Sequence, residues 1–333
     1  MFVIPAVQNY LFALLSVLSQ TMRDFELLVL DDGSTDASAD IAESLADPRV
    51  RVLRLPARGL VVTLNEGAAL CRAPLIGRMD ADDLCRPRRL ELQASFFDRN
   101  PDVDVLGGQV HLFGDHRLRQ HRYPTSHSAI QAAAVFDSPL VHPTVMFRSS
   151  LLVAGLPLYD SNQRHAEDYE LWTRWLLAGV RFAALPQVLL DYRVHAGQVS
   201  ESHRQQQSQV ADGVRNIWLE HLGLQASAQE LLLHRDIGQG RWGLGMDALL
   251  GLELWLLKLL EASRLTGFLE PAAFESVVAQ RWTSALWANR GLGRPLRRLV
   301  SQSPLSVLRH PQPWKPWLAW LASAAPFSSV VKT

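Results

Sequence analysis

Through the first hundred residues, short apolar runs alternate with segments whose apolar residues fall at helical intervals. Phe2 to Ile4, Phe25 to Leu30 and Val50 to Leu55 are compact β-rich runs, followed in turn by the helical patterns Leu11 to Leu18, Ala37 to Leu45 and Leu60 to Cys71. This alternation predicts parallel strands joined by crossover helices, hence a doubly wound α/β sheet. Another strand is expected from Leu75 to Met79, with further strands at Val103 to Phe113 and Thr144 to Arg148. A helix from about Glu167 to Ala178 and a strand pair around Phe182 to Val194 follow, so the sheet should become mixed. Beyond His195 the chain turns polar around Gln205 to Gln207, then Leu- and Trp-rich with helical spacing to about Leu321, which places a domain boundary near residue 205. No internal repeat is visible.

Lys plus Arg and Asp plus Glu balance at 33 each, so no global field draws nucleic acid, and any anionic ligand must be met by a local site. Cys71 and Cys85 are the only cysteines, with no zinc spacing or disulfide framework, which fits a reducing compartment. No basic-then-apolar leader opens the chain, and the apolar region Gly243 to Leu260 is interrupted by Asp247, Glu253 and Lys258. The expected location is cytoplasmic, either free or at the inner face of the membrane.

In an open α/β sheet, ligands gather at the strands' carboxyl ends, and two of those ends carry acids. Asp80-Ala81-Asp82-Asp83 follows a strand directly. Alternate residues in extended chain point the same way, so Asp80 and Asp82 can meet one hard divalent cation, Mg2+ or Mn2+, which completes its shell with substrate phosphates. The competing reading is a turn whose Asp83 caps a helix starting near Pro87. In Asp31-Asp32-Gly33-Ser34, turn and cap chemistry accounts for the later residues. It leaves two adjacent acids at the end of an apolar strand, one of which must face inward and needs donors; a nucleobase imide or a ribose hydroxyl could supply them. Further along, Leu171, Trp172, Trp175 and Leu176 form an apolar helical stripe that Asp168 begins three and four residues earlier. Desolvation beside Trp172 would raise the pKa of Asp168 and strengthen it as a base, whereas Glu167 suits the helix N-terminus.

Taken together, the segments VIPA at Val3 to Ala6, SQTMRDFELLVLDDGSTD at Ser19 to Asp36, RGLVVTLNEGAALCRAPLIGRMDADDLCRPRRL at Arg58 to Leu90, HPTVMFR at His142 to Arg148 and AEDYELW at Ala166 to Trp172 resemble a family 2 glycosyltransferase with the GT-A fold. The resemblance covers roughly residues 1 to 200. It implies a GT-A-like doubly wound mixed sheet flanked by helices over 1–204, the nucleotide-sugar-binding and catalytic domain, with a mainly helical region over 205–333. It further implies that Pro5 and Ala6 begin the nucleotide pocket, Asp32 contacts the base, Arg58 and Gly59 lie close to the nucleotide, Asp80 lies near the ribose and Asp82 binds the metal. Asp168 matches the acid of the family's Glu-Asp motif beside Glu167, and a single base opposite a leaving diphosphate implies inversion at the anomeric carbon. His142 and His195 match positions near the metal or diphosphate, with a structural histidine as the other reading of His142. The expected partners are a nucleotide diphosphate sugar donor and a saccharide or lipid-linked acceptor.

Where the family commonly has Pro-x-Tyr-Asn, this chain has Pro5-Ala6-Val7-Gln8, so the base-binding loop is altered and the nucleotide is left open. The Gln-x-x-Arg-Trp signature of processive synthases is absent, which favours one sugar per encounter. In the C-terminal region Leu249, Leu252, Leu256, Leu259 and Leu260 mark a helical stripe. Trp314, Trp317 and Trp320, with Arg294, Arg297 and Arg298, suit either a peripheral membrane contact or packing, including packing against a second protomer. The alternatives are an inert GT-A-like scaffold, which intact Asp82 and Asp168 argue against, and a metal-dependent nucleotidyltransferase, which would carry a Gly-rich phosphate loop absent from Met1 to Tyr10. A metal hydrolase using His142 and His165 lacks ligand spacing.

Overall fold

The computed structural model describes residues 2–3, 7–114, 119–153, 157–163, 165–194 and 204–305. Two compact units divide the chain, one formed by Met1–Ile130 with Ser138–Ala211, the other by Gln131–Asp137 with Asp212–Thr333.

In the first unit, strands β1 (Phe2–Val3), β2 (Leu27–Asp32) and β3 (Val50–Leu55) alternate with helices α1 (Val7–Leu18), α2 (Ser38–Ser44) and α3 (Leu60–Leu70). Tyr10, Ala13, Leu14 and Val17 recur at three- and four-residue steps, so α1 turns one apolar face onto Leu27 and Val29. The central strand β2 is apolar on both faces, as a parallel strand covered on two sides requires. The segment expected as one strand from Leu75 to Met79 is divided. Leu75–Gly77 (β4) and Met79–Asp80 (β5) lie in different sheets, with Arg78 between them. β5 completes a parallel sheet of order β3-β2-β1-β5.

Leu84–Cys85 (β6), α4 (Arg89–Arg99), β7 (Val105–Gly114), β8 (Arg119–His121), α5 (His127–Ala134), β9 (Met146–Arg148), α6 (Glu167–Leu177) and β10 (Phe182–Val194) complete the described elements of this part of the chain, with 3-10 turns at His142–Thr144 and Ser149–Leu151. The second sheet runs β4-β9-β7-β10-β6 and is mixed, with β7 and β10 parallel and the other pairs antiparallel. The strand pair expected around Phe182 to Val194 is one strand. Its register against β7 shifts between Ala184 and Val188 and again before Leu190, which accommodates Pro186 without a reversal of direction. Nor does Asp83 cap the next helix: Arg88 occupies the N-cap of α4.

The second unit is helical, with α7 (Arg204–His221) leading into it and α8 (Ala228–Gly238), α9 (Gly245–Thr266), α10 (Pro271–Ala288) and α11 (Arg294–Gln302) following. Leu249, Leu252, Leu256, Leu259 and Leu260 are all buried, so the stripe of α9 packs internally, around the fully buried Trp218, Trp255 and Trp282. Gly267 ends α9 in the left-handed conformation that favours glycine. Residues 131–137 belong to this core: Arg215 Nε donates to the Phe136 carbonyl at 2.7 Å, and His234 Nε2 lies 3.0 Å from the Val135 carbonyl. Trp314, Trp317 and Trp320 lie outside the described residues. Among the described residues, no helix is long and apolar enough to cross a membrane.

Candidate functional site

At the end of β2 the two adjacent acids part ways. Asp31 turns inward, 3% exposed, and its Oδ1 accepts from the Ser34 backbone N–H at 2.9 Å. Asp32 finds its donors within the chain. The backbone N–H groups of Arg58 and Gly59 donate to its two oxygens at 2.9 Å each, and Thr63 Oγ1 donates at 2.8 Å. Asp32 thus holds the entry to α3, with three of its lone-pair directions already used within the chain. Gly59 stands at that entry with φ +89° and open space where a Cβ would be, so the backbone angle rather than crowding favours glycine. Gly33 is constrained twice, by φ +74° and by the Ala57 backbone nitrogen, which lies only 2.7 Å from where a Cβ would stand. The Arg58 side chain, half exposed, pairs with Glu66.

Beyond β5 the acids lie on a tight turn at 81–83 rather than on extended chain. Asp80 and Asp82 are partly exposed, while Ala81 and Asp83 are buried. Arg193 clasps the turn from β10: its backbone N–H donates to Asp83 Oδ1 at 2.8 Å, and its Nε donates to the Asp82 carbonyl at 2.9 Å. Asp83 Oδ2 is buried without a hydrogen-bond partner, and burial followed by repulsion from Asp80 and Asp82 holds the Asp83 carboxyl well above the usual carboxylate range. Three acids on one turn, with an orphaned buried oxygen on Asp83 among them, fit a cation. No group of three or more metal-ligating side chains gathers among the described residues. Mg2+ and Mn2+ take one or two carboxylates and complete their shell with phosphate and water.

Arg78, in the gap between the two sheets, joins this turn to the second acidic pair. Its backbone N–H donates to the Val145 carbonyl at 2.9 Å and its carbonyl accepts from Arg89 Nη2 at 2.7 Å. The guanidinium, 4% exposed as a residue, grips Asp80 with both ends of its fork, at 2.7 and 2.5 Å. Its charge is also felt at Glu167, Asp168, Tyr159 and His142. In sequence Arg78 merely precedes the acid triplet, and its bidentate partner two residues on leaves no distinctive pattern.

α6 begins at Glu167, after His165 adopts φ +74°, a left-handed conformation that histidine tolerates. Glu167 is buried, and desolvation raises its carboxyl against hydrogen bonds from its own and the His165 backbone. Asp168 is partly accessible yet densely surrounded. Burial first and the Glu167 charge second push its carboxyl up to about 7, opposed by the Tyr169 backbone N–H donating at 2.8 Å, by Arg78, and by Ser138 Oγ donating at 3.3 Å. The stripe behind it is core: Leu171, Trp172 and Leu176 are at most 2% exposed. Trp172 meets the His142 ring edge-on at 5.9 Å, and His142 Nε2 lies 2.7 Å from the Tyr159 hydroxyl. Burial, then Arg78, lowers the His142 pKa well below the histidine range, so the ring is neutral and forms part of the wall. Neither Tyr159 nor Ser138 was foreseen. Each partner lies 17 or 30 residues away in the chain and carries no local signature.

The structure thus places Asp80, Arg78, His142, Glu167 and Asp168 in one electrostatic neighbourhood, with Asp82 on the same turn as Asp80, and places Asp32, Arg58 and Gly59 together at the start of α3. Pro5, Ala6 and His195 lie outside the described residues.

Comparison with known proteins gives this site a context. The model of the family "Glycosyl transferase family 2" matches residues 7–151. The chain is 31% identical over 189 residues to the O-antigen biosynthesis glycosyltransferase WbnJ of Escherichia coli, covering 54% of this chain and 72% of that protein. It is 33% identical over 192 residues to the amylovoran biosynthesis glycosyltransferase AmsE of Erwinia amylovora, covering 56% of this chain and 71% of that protein. Its fold resembles that of S. aureus TarS 1-349 in complex with UDP-GlcNAc, with a TM-score of 0.54 at 16% identity over 90% of this chain and 91% of that one.

Proposed function

Since the chain belongs to glycosyl transferase family 2, we propose that it is an inverting transferase that moves one sugar from a nucleoside diphosphate donor to an acceptor hydroxyl, in the assembly of a surface polysaccharide. The observation that carries this reading is Asp168, a carboxylate poised at about 7 and held by Ser138 and the Tyr169 backbone in the same neighbourhood as the acid turn. A general base works best with a pKa near the operating pH. WbnJ and AmsE, named for O-antigen and amylovoran biosynthesis, support the polysaccharide context.

In this mechanism the acceptor hydroxyl gives its proton to the Asp168 carboxylate as its oxygen bonds to the anomeric carbon from the face opposite the diphosphate. The bond from that carbon to the diphosphate oxygen breaks, and the electron pair leaves with the nucleoside diphosphate, which inverts the centre. Asp80, fixed by the fork of Arg78, meets the donor's ribose; Asp32, Arg58 and Gly59 line the approach to the nucleotide; Glu167 and neutral His142 wall the acceptor side. Asp82 would hold a divalent cation, with Asp83 behind it. When bound, Mn2+ or Mg2+ neutralises charge on the departing diphosphate. The acceptor is a saccharide or a lipid-linked sugar, met at the cytoplasmic side of a membrane.

The test is a thermal-shift screen of nucleotide sugars with and without Mn2+, since a ligand of the native state raises its apparent stability. A donor that stabilises only with the metal, followed by a product with inverted anomeric configuration by NMR, is expected. Retention of configuration would overturn the mechanism.

A further inference from the structure

Many arginines of both units meet carboxylates, among them Arg49, Arg54, Arg78, Arg86, Arg215 and Arg235. The last described helix gathers three that do not. Arg294, Arg297 and Arg298 on α11 are exposed and make no ion pair among the described residues, while Leu296 and Leu299, on the other face of the same nine residues, are buried. The helix is thus firmly seated with its charge outward. Alongside it opens a cavity of about 450 Å³, lined by Met246, Leu250, Pro295 and Leu299 together with Arg294, Arg298 and Gln302.

The apolar surface continues beyond the cavity. Leu250 and Leu254, one turn apart on α9, are 45% and 68% exposed. Asn289 Oδ1 accepts from the Leu244 and Gly245 backbone N–H groups at 3.2 and 3.3 Å, which ties the end of α10 to the start of α9. Near the end of α10, Trp287 is 56% exposed, with the Arg290 guanidinium 5.0 Å over its ring. On α9, Asp247 and Glu261 are the exposed acids, against the exposed Arg290, Arg294, Arg297 and Arg298 further along the chain. Exposed leucines and an aromatic in the same unit as exposed arginines match what a bilayer surface offers, an acyl boundary and anionic headgroups.

We propose that this end of the helical unit docks onto the surface of an anionic phospholipid bilayer, the arginines of α11 meeting headgroup phosphates while Leu250, Leu254 and Trp287 enter the headgroup boundary. The proposal is independent of the chemistry assigned to Asp168. Such docking would hold the protein in the plane where lipid-anchored acceptors reside.

The test is co-sedimentation of the full-length chain with vesicles of phosphatidylcholine alone or phosphatidylcholine with phosphatidylglycerol. Binding to the anionic vesicles only, weakened by high salt, is expected. The Arg294→Gln/Arg297→Gln/Arg298→Gln variant should lose roughly a hundredfold in vesicle affinity, each surface arginine accounting for about fivefold. Leu254→Ser should lose about tenfold, and neither variant should melt earlier than the parent. Equal binding to both vesicle types, or unchanged binding by the triple-arginine variant, would overturn the proposal. A parent that is dimeric by light scattering and becomes monomeric on these substitutions would overturn it too, because the surface would then belong to a second copy.

Discussion

Lowering the pH from about 8 to about 5 should slow transfer roughly a hundredfold, because a base that titrates at about 7 is about 1% ionised two pH units below that value. The logarithm of kcat/KM should rise with unit slope from acid pH and level off above pH 7. Asp168→Asn keeps the shape and the Tyr169 contact but cannot take the proton, so kcat should fall by about 10²- to 10⁴-fold with donor affinity largely kept. The same substitution has a stability signature of opposite sense. The native Asp168 carboxyl titrates at about 7 against an ordinary value of 3.8, so between those pH values the folded chain binds more protons than the unfolded one, and stability falls as pH rises through the window. The loss reaches on the order of 4 kcal/mol at 1.36 kcal/mol per pH unit. Asparagine escapes it. Asp168→Asn should therefore melt above the parent at about pH 8 and match it near pH 4. Stopped assays of nucleoside diphosphate release across pH, with melting curves in the same buffers, read both effects. An acid limb centred near 4, or one that survives in Asp168→Asn, would refute the assignment of the base.

The neighbours of Asp168 should move that limb in opposite directions: Glu167→Gln removes a charge that raises the Asp168 pKa and should shift the limb to lower pH, whereas Arg78→Met removes one that lowers it and should shift the limb upward. Arg78→Lys, keeping the charge but not the fork, should hold the limb in place and raise the donor KM. Asp82→Ala should abolish Mn2+-dependent turnover, seen as loss of the metal-dependent thermal shift with a nucleotide sugar. Gly33→Ala should cost about 1–3 kcal/mol in urea unfolding, because a left-handed angle and a backbone atom at 2.7 Å oppose the methyl. Gly59→Ala, with the angle alone against it, should cost about 1 kcal/mol.

Much of the parallel half was legible in sequence because its signals are local. Leu27 to Asp32 and Val50 to Leu55 are strands whose apolar runs and turn residues lie within a few positions of one another. The helical stripe leading away from Asp168 was equally visible, since three- and four-residue spacing fixes a helix face without outside help. What stayed hidden depends on distant partners. Nothing between Leu75 and Met79 says that Gly77 will pair with Met146 while Met79 pairs with Phe2. A strand pair was expected around Phe182 to Val194, but a long neighbouring strand in β7 lets the chain continue past Pro186 with a shifted register. Asp32 invited a ligand because its donors, Arg58, Gly59 and Thr63, stand 26 to 31 residues away. Buried Asp83 owes its environment to Arg193, 110 residues on.

The passage of the chain from one ladder to the other at Arg78 leaves no slack. Gly77 is committed to one set of partners and Met79 to another, so a residue inserted or deleted there would invert the facing of every side chain on whichever ladder gave way. Such a point is length-locked. Libraries that vary loop lengths to change specificity should leave 75–83 untouched, and relatives that diverge freely in their loops should keep this stretch free of gaps.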